Sequence, residues 1–246
     1  ESGRNVRAFH TYDKPLSFAA RLKVHLRTVI DQLLGEEAPD RVVWEGVPYR
    51  GLQVFDVDHA PIYFGREQEV CDLEMLLRKR ETDGCAFAVV VGASGSGKSS
   101  LVRAGLASSL IQDNLDTTVA AWRSAVLMPG ASGGRLLEAL LQTMAGALKE
   151  LTAQGLTPAE LAKECETNPA AVMRMAVLPA FGRAAEQAGG MVKVLLIIDQ
   201  LEELWTDARN SPEQRERFLE LLELLARSGR MWVVATLRSD FYALAQ

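Results

Sequence analysis

Cysteine is scarce in this sequence, and long apolar runs and blocks of basic residues are missing, so several classes of function are closed from the start. The three cysteines, Cys71, Cys85 and Cys165, are odd in number and widely spaced, without a CxxC pair or a nearby histidine. That pattern argues against a disulfide framework or a zinc site and predicts buried free thiols in a reducing compartment. No stretch approaches the ~20 apolar residues of a membrane span, and no basic segment followed by an apolar one stands at the N-terminus. A soluble, cytoplasmic chain with no membrane partner is expected. With a net charge of −5 and no Lys/Arg cluster, there is no electrostatic footprint for nucleic acid. His10, His25 and His59 are isolated and read as surface or packing residues. Trp44, Trp122, Trp205 and Trp232 read as core residues rather than a base-stacking platform.

What is present is enough apolar material for a substantial core: 48% of 246 residues. The first 40 residues offer a short strand-like piece at 5–9 and a helical pattern at 17–34, and a boundary is expected near residue 40. Residues 41–62, rich in Gly, Pro and scattered aromatics, read as a linker or irregular wrapping segment. Beyond them comes a regular alternation: a helix at 67–80, a strand at 86–91, a helix at 99–111 and a strand at 119–128. Helices follow at 135–151 and 158–188, then a strand at 192–198, a helix at 212–227 and a strand at 231–237. Ser211, Pro212 and Gln214 supply the cap, first-turn proline and capping-box partner of the helix at 212. The run VKVLLII is too continuously apolar for a one-sided strand and belongs centrally in a sheet covered on both faces. Alternating strands and helices predict an α/β fold, a doubly wound parallel sheet with residues 135–188 as a helical insertion. The chain starts at Glu1 rather than Met and ends just after a strand, so a piece of a longer protein is expected.

The chemistry is concentrated in one motif. Gly92, Gly97, Lys98 and Ser99 fill every fixed position of GxxxxGK[ST], the phosphate-binding P-loop. Glycines at 92, 95 and 97 let backbone N–H groups turn inward around phosphate oxygens, and the following helix adds its positive end. The loop Gly92, Ala93, Ser94, Gly95, Ser96, Gly97, Lys98, Ser99 and Ser100 is thus the candidate binding site for ATP. Lys98 brings a charge to the β and γ phosphates, and the Ser99 hydroxyl is a hard oxygen ligand for Mg2+. Asp199, directly after VKVLLII, is placed to hold a magnesium-bound water. Glu202 and Glu203 follow within reach of the γ-phosphate side, and either can be the base that orients an attacking water. Arg238, just past the last strand, either meets a phosphate oxygen or pairs with Asp240 on the surface. Gly65, Arg66 and Glu67 read, on composition alone, as a turn and a helix start. The absence of an NKxD-type motif argues against GTP.

These segments resemble the STAND-class P-loop ATPases, relatives of the NACHT and NB-ARC signalling ATPases, and in particular their bacterial novel-STAND branch. The resemblance is carried by PYRGL (48–52), YFGREQEV (63–70), GASGSGKSSLVRAGL (92–106), LLIIDQLEEL (195–204) and TLRSDFY (236–242). It implies that Gly65, Arg66 and Glu67 lie near the adenine and that Arg238 reads the γ-phosphate. It also implies a domain order of an N-terminal effector-like remnant (1–40), a linker (41–62) and the NTPase domain (63–246). Gln200 stands where the wider AAA+ group has a glutamate beside the aspartate, so the base falls to Glu202 or Glu203 and turnover is expected to be slow. By resemblance, the protein is an ATP- and Mg2+-dependent signalling switch that self-associates through this domain, in a setting such as bacterial stress or phage defence. The same P-loop, acidic strand and helical insertion would also serve a small-molecule kinase, or a module that holds nucleotide without hydrolysing it.

Overall fold

The computed structural model describes Gly51 and residues 53–112, 118–153 and 155–245. All of them belong to one compact unit, Val47–Gln246. The expected elements at 5–9 and 17–34, the boundary near residue 40, and Trp44, His10 and His25 lie outside the described residues.

Four strands form one sheet: β1 (Phe87–Gly92), β2 (Val119–Leu127), β3 (Met191–Ile198) and β4 (Met231–Arg238). Their spatial order is β1-β4-β3-β2 and every pairing is parallel. The latest strand in the chain therefore lies between the P-loop strand and the acidic strand. Gly92 is in register with Arg238, and Ile198 with both Leu127 and Ala235, so the ends of all four strands share one edge. Arg238 is the last residue of β4, which corrects the expectation that it falls beyond the strand: its pairing with Gly92 extends the ladder by one residue.

The sheet is covered on both faces, and the period-two alternation of β3 and β4 shows how. Val194, Leu196, Ile198, Val233 and Ala235 join the core built with the helices of the insertion, while Leu195, Ile197, Trp232 and Val234 join the core on the other face. The first face carries α3 (Leu136–Ala147), α4 (Pro158–Thr167), α5 (three consecutive segments, Pro169–Val172, Met173–Val177 and Leu178–Ala188) and α7 (Pro212–Ala226). The second carries α1 (Glu67–Thr82) and α2 (Lys98–Ser100, Leu101–Leu106 and Ala107–Gln112). A short α6 (Glu203–Thr206) follows β3.

Local chemistry explains where the expected helices are cut. The helix expected at 135–151 stops at Ala147, because Leu148 leaves helical geometry, and a 3-10 turn (Lys149–Leu151) follows. The stretch expected at 158–188 is interrupted at Asn168, whose side chain accepts from Ala171 N and caps a new start with Pro169 in its first turn. Thr157 with Glu160, and Ser211 with Gln214, form capping boxes at the starts of α4 and α7. The middle of α2 is π-helical. Gly105 lies in that part because a Cβ there would come within 2.5 Å of Val70 and 3.3 Å of Tyr63. Of the three thiols only Cys165 is buried, and burial pushes it up to about 12; Cys71 and Cys85 are half-buried, a correction to the expectation for all three.

Candidate functional site: a phosphate loop and a buried aspartate

β1 ends at Gly92, and the chain turns through an exposed loop, 93–97, into α2. Gly95 and Gly97 adopt φ of +74° and +81°, the left-handed region that a side chain disfavours. Gly92 is needed for a different reason: a Cβ there would sit 2.9 Å from Ser96 Oγ and 3.5 Å from Lys98 Cδ. Lys98 folds back over the loop, its Nζ donating to Gly92 O at 2.8 Å and Ala93 O at 2.7 Å. The ammonium is thereby held above the loop that the backbone amides line.

Ser99, the next residue of α2, donates from Oγ to Asp199 Oδ1 at 2.7 Å. Two residues far apart in sequence are thus joined across the carboxyl edge of the sheet. Asp199 is only 1% exposed, and it is held from several sides. Thr236, on β4, donates to the same Oδ1 at 2.6 Å, Arg103 Nη2 donates to Oδ2 at 2.6 Å, and the backbone N–H of Asp199 reaches Leu127 O at 2.8 Å. The chain then turns through Gln200 at φ +60°, a left-handed conformation costing a non-glycine residue roughly 1–2 kcal/mol. Thr236 stabilises the turn: its Oγ1 accepts from Gln200 N at 2.9 Å and its carbonyl from Leu201 N at 2.8 Å. Arg103 and Thr236 were not singled out by sequence reasoning. Arg103 had one legible signal: it lies four residues after Ser99, on the same helix face.

The two glutamates differ in placement. Glu202 is buried, 6% exposed, and its Oε2 accepts at 3.2 Å from the N–H of Arg238, the residue in register with Gly92. Glu203 is turned the other way, accepting from Gly130 N at 2.8 Å, so closely that a Cβ on Gly130 would lie 2.7 Å from its carboxylate. The Arg238 guanidinium bonds Asp240 at 2.7 Å and lies over the Phe241 ring. This is the surface pair allowed for above. It holds the Asp240 carboxyl below its ordinary range. Arg66 reaches the P-loop through Nη2 and Ser96 O at 3.5 Å and pairs with Glu69, while Glu67 Oε1 accepts from Gly65 N at 2.9 Å. Ser100 is occupied elsewhere, its Oγ accepting from Phe55 N at 3.1 Å.

A family model described as Novel STAND NTPase 1 matches residues 48–246. The chain belongs to this family. The described residues are a P-loop module of a novel STAND NTPase, with the strand order and loop set out above. A comparison with curated proteins finds no match. Among solved structures, the ORC2 protein of Aeropyrum pernix, in ADPNP–ADP complexes, is similar with a TM-score of 0.44 and 16% identity. That likeness covers 74% of this chain and 43% of the other, so the chain spans less than half of that structure's length. No helix among the described residues of this novel STAND NTPase is long and apolar enough to cross a membrane.

Mg2+ is a hard ion that takes oxygen ligands and few of them from protein. The donor set at the strand edge is of that kind: the Ser99 hydroxyl and the Asp199 carboxylate, 2.7 Å apart and beside the loop. The residues present therefore fit such an ion: Ser99 would supply a direct oxygen ligand and Asp199 would accept from the ion's water shell.

Proposed function

We propose that this novel STAND NTPase module binds ATP with Mg2+ and hydrolyses it slowly to ADP and phosphate, acting as the nucleotide switch of a larger cytoplasmic signalling protein. The observation that carries the reading is the 2.7 Å bond between Ser99 and Asp199, which joins the phosphate loop to the acidic strand. Lys98 and the loop amides bind the phosphates, and the positive end of α2 adds to them. Bound Mg2+ supplies charge neutralisation at the β and γ phosphates. Gly65, Arg66 and Glu67 stand on the loop side, Arg66 touching Ser96, which suits a role beside the base of the nucleotide. Arg238 ends β4 in register with Gly92 at the head of the loop and reads the γ-phosphate on releasing Asp240, while Glu202 orients the attacking water. Self-association through this domain in the longer protein completes the reading.

Nucleotide binding without hydrolysis is the second reading. The engagement of both carboxylates, Glu202 by Arg238 N and Glu203 by Gly130 N, favours it. Calorimetry tests what the two share. Lys98→Ala is expected to weaken Mg·ATP binding roughly 100-fold while the fold survives, because it removes a charged donor from the phosphates and little packing. Unchanged affinity would remove the site.

A further inference from the structure

Among the described residues Arg103 is the one cation paired with Asp199, and neither the P-loop pattern nor the acidic strand assigns it a role. It lies one helical turn beyond Ser99, so hydroxyl and guanidinium approach the same carboxylate from the same face of α2. The carboxylate offers about four acceptor positions. Ser99 and Thr236 take two on Oδ1, and Arg103 takes one on Oδ2, at 2.6 Å, leaving one for a metal-bound water. The other arm of the guanidinium points to the lead-in segment: Nη1 lies 3.7 Å from Asp56 Oδ2, and Nε is buried with no partner among the described residues. One arm is thus hydrogen-bonded to Asp199, while the other makes a longer ionic approach to the half-exposed Asp56. The lead-in segment is fastened to α2 on either side of this contact, through Phe55 N to Ser100 Oγ and Ser108 Oγ to Val57 O.

We propose that Arg103 is a positioning residue that locks the Asp199 carboxylate in its metal-binding orientation and, through Asp56, makes that orientation depend on the lead-in segment at 55–57. The inference rests on the Mg·ATP reading of the site. A planar fork can bridge two carboxylates at fixed angles, which the single point charge of lysine does not reproduce.

The test is ATP binding by calorimetry in Mg2+ and in EDTA, for the parent chain, Arg103→Met, Arg103→Lys and Asp56→Asn. Outer-sphere partners of metal-binding groups are worth about 10–100-fold in metal affinity, so Arg103→Met should lose about that much of the gain Mg2+ gives, with affinity in EDTA changed by no more than about threefold. A merely structural arginine would weaken binding alike in both buffers, and that result overturns the proposal. Arg103→Lys should recover the thermal midpoint but not the full Mg2+ gain; full recovery would show that charge alone suffices and overturn the two-armed role. Where Arg103→Met does not fold, Asp56→Asn decides, since it leaves the 2.6 Å pair in place. It should reduce the Mg2+ gain by roughly two- to fivefold, less than the roughly 10–100-fold of a group that touches the metal-binding carboxylate itself, because Asp56 acts only through Arg103, and an unchanged gain refutes the link. A parent chain with no Mg2+ gain sinks the Mg·ATP reading itself, an outcome distinct from a gain that persists without Arg103.

Discussion

At the amino end of the sheet Lys193 is buried with Glu81 at 2.6 Å, and at the carboxyl end Asp199 is buried with Arg103 at the same separation. What surrounds them differs. Lys193 Nζ lies 5.7 Å from the centroid of the Trp122 ring and 5.9 Å from that of Trp232, with Arg78 stacked on Trp232 from above. Aromatic faces suit a fixed cation and offer no ligand atoms to anything else. Asp199 instead meets two hydroxyls and stands next to an exposed loop with two left-handed glycines. A buried charge by itself thus marks no site. Hard oxygen donors around it, with backbone free to meet a ligand, do.

The sharpest break in that comparison lies within the carboxyl end. Glu202 is buried against the backbone of Arg238, whereas Glu203 is spent on Gly130. Glu202→Gln should slow single-turnover hydrolysis of saturating Mg·ATP by about 10²–10⁴, the worth of a general base, while Glu203→Gln leaves the rate near parental. Parental rates for both variants would transfer support to binding without hydrolysis.

At the amino end the expected effect is on stability alone. Glu81→Ala leaves Lys193, with 8% of its side chain exposed, without its carboxylate. Breaking such a pair from one side should cost about 2–4 kcal/mol in urea unfolding, somewhat less than for a fully enclosed pair because Glu81 is partly solvated. ATP affinity of the folded protein should not change. A parallel loss of affinity would mean that the two ends are not independent.

The comparison also separates what the sequence discloses from what it withholds. The P-loop, the apolar strand before Asp199 and the Ser211 cap are local patterns, each written within ten residues, and the structure has the strand-loop-helix turn, the central strand and the capped helix start that they predict. The contacts that define the state of Asp199 are not local: Arg103 is 96 positions away and Thr236 37. The four-residue spacing from Ser99 puts Arg103 on the right helix face, but nothing in LVRAGL shows that the partner it meets there is Asp199. Similarly, Glu202 and Glu203 are adjacent and alike in type, and distant partners tell them apart: Arg238, 36 positions from Glu202, and Gly130, 73 positions from Glu203. Gly146 lies inside α3 rather than beyond its end, and no proline directly follows Leu148, so the helical pattern ran on past the break. The strand order too was fixed by pairing between distant segments, with β4 between β1 and β3.

The smallest expected effect concerns a third ion pair, which tests whether the amino half of the sheet contributes stability without touching nucleotide. Arg123 follows Trp122 on β2 and points to the opposite face, where its fork meets the buried Glu150 at 2.8 and 3.2 Å while also donating to Ala147 O. The hydrogen bonds from Arg123 hold the Glu150 carboxyl below its ordinary value of 4.5, outweighing burial, which acts to raise it. A depressed folded-state value means that the unfolded chain binds the proton more readily. The stabilisation is therefore complete above the unfolded value and is lost as pH falls through the folded one. Glu150→Gln should cost about 1 kcal/mol at pH 7, and its deficit against the parent should close as pH is lowered below about 4.5. Urea unfolding of both proteins across that range measures the gap. A gap that stays constant down to pH 3 would assign the role of Glu150 to packing against the 3-10 turn rather than to its charge, and ATP affinity at pH 7 should be the same in both.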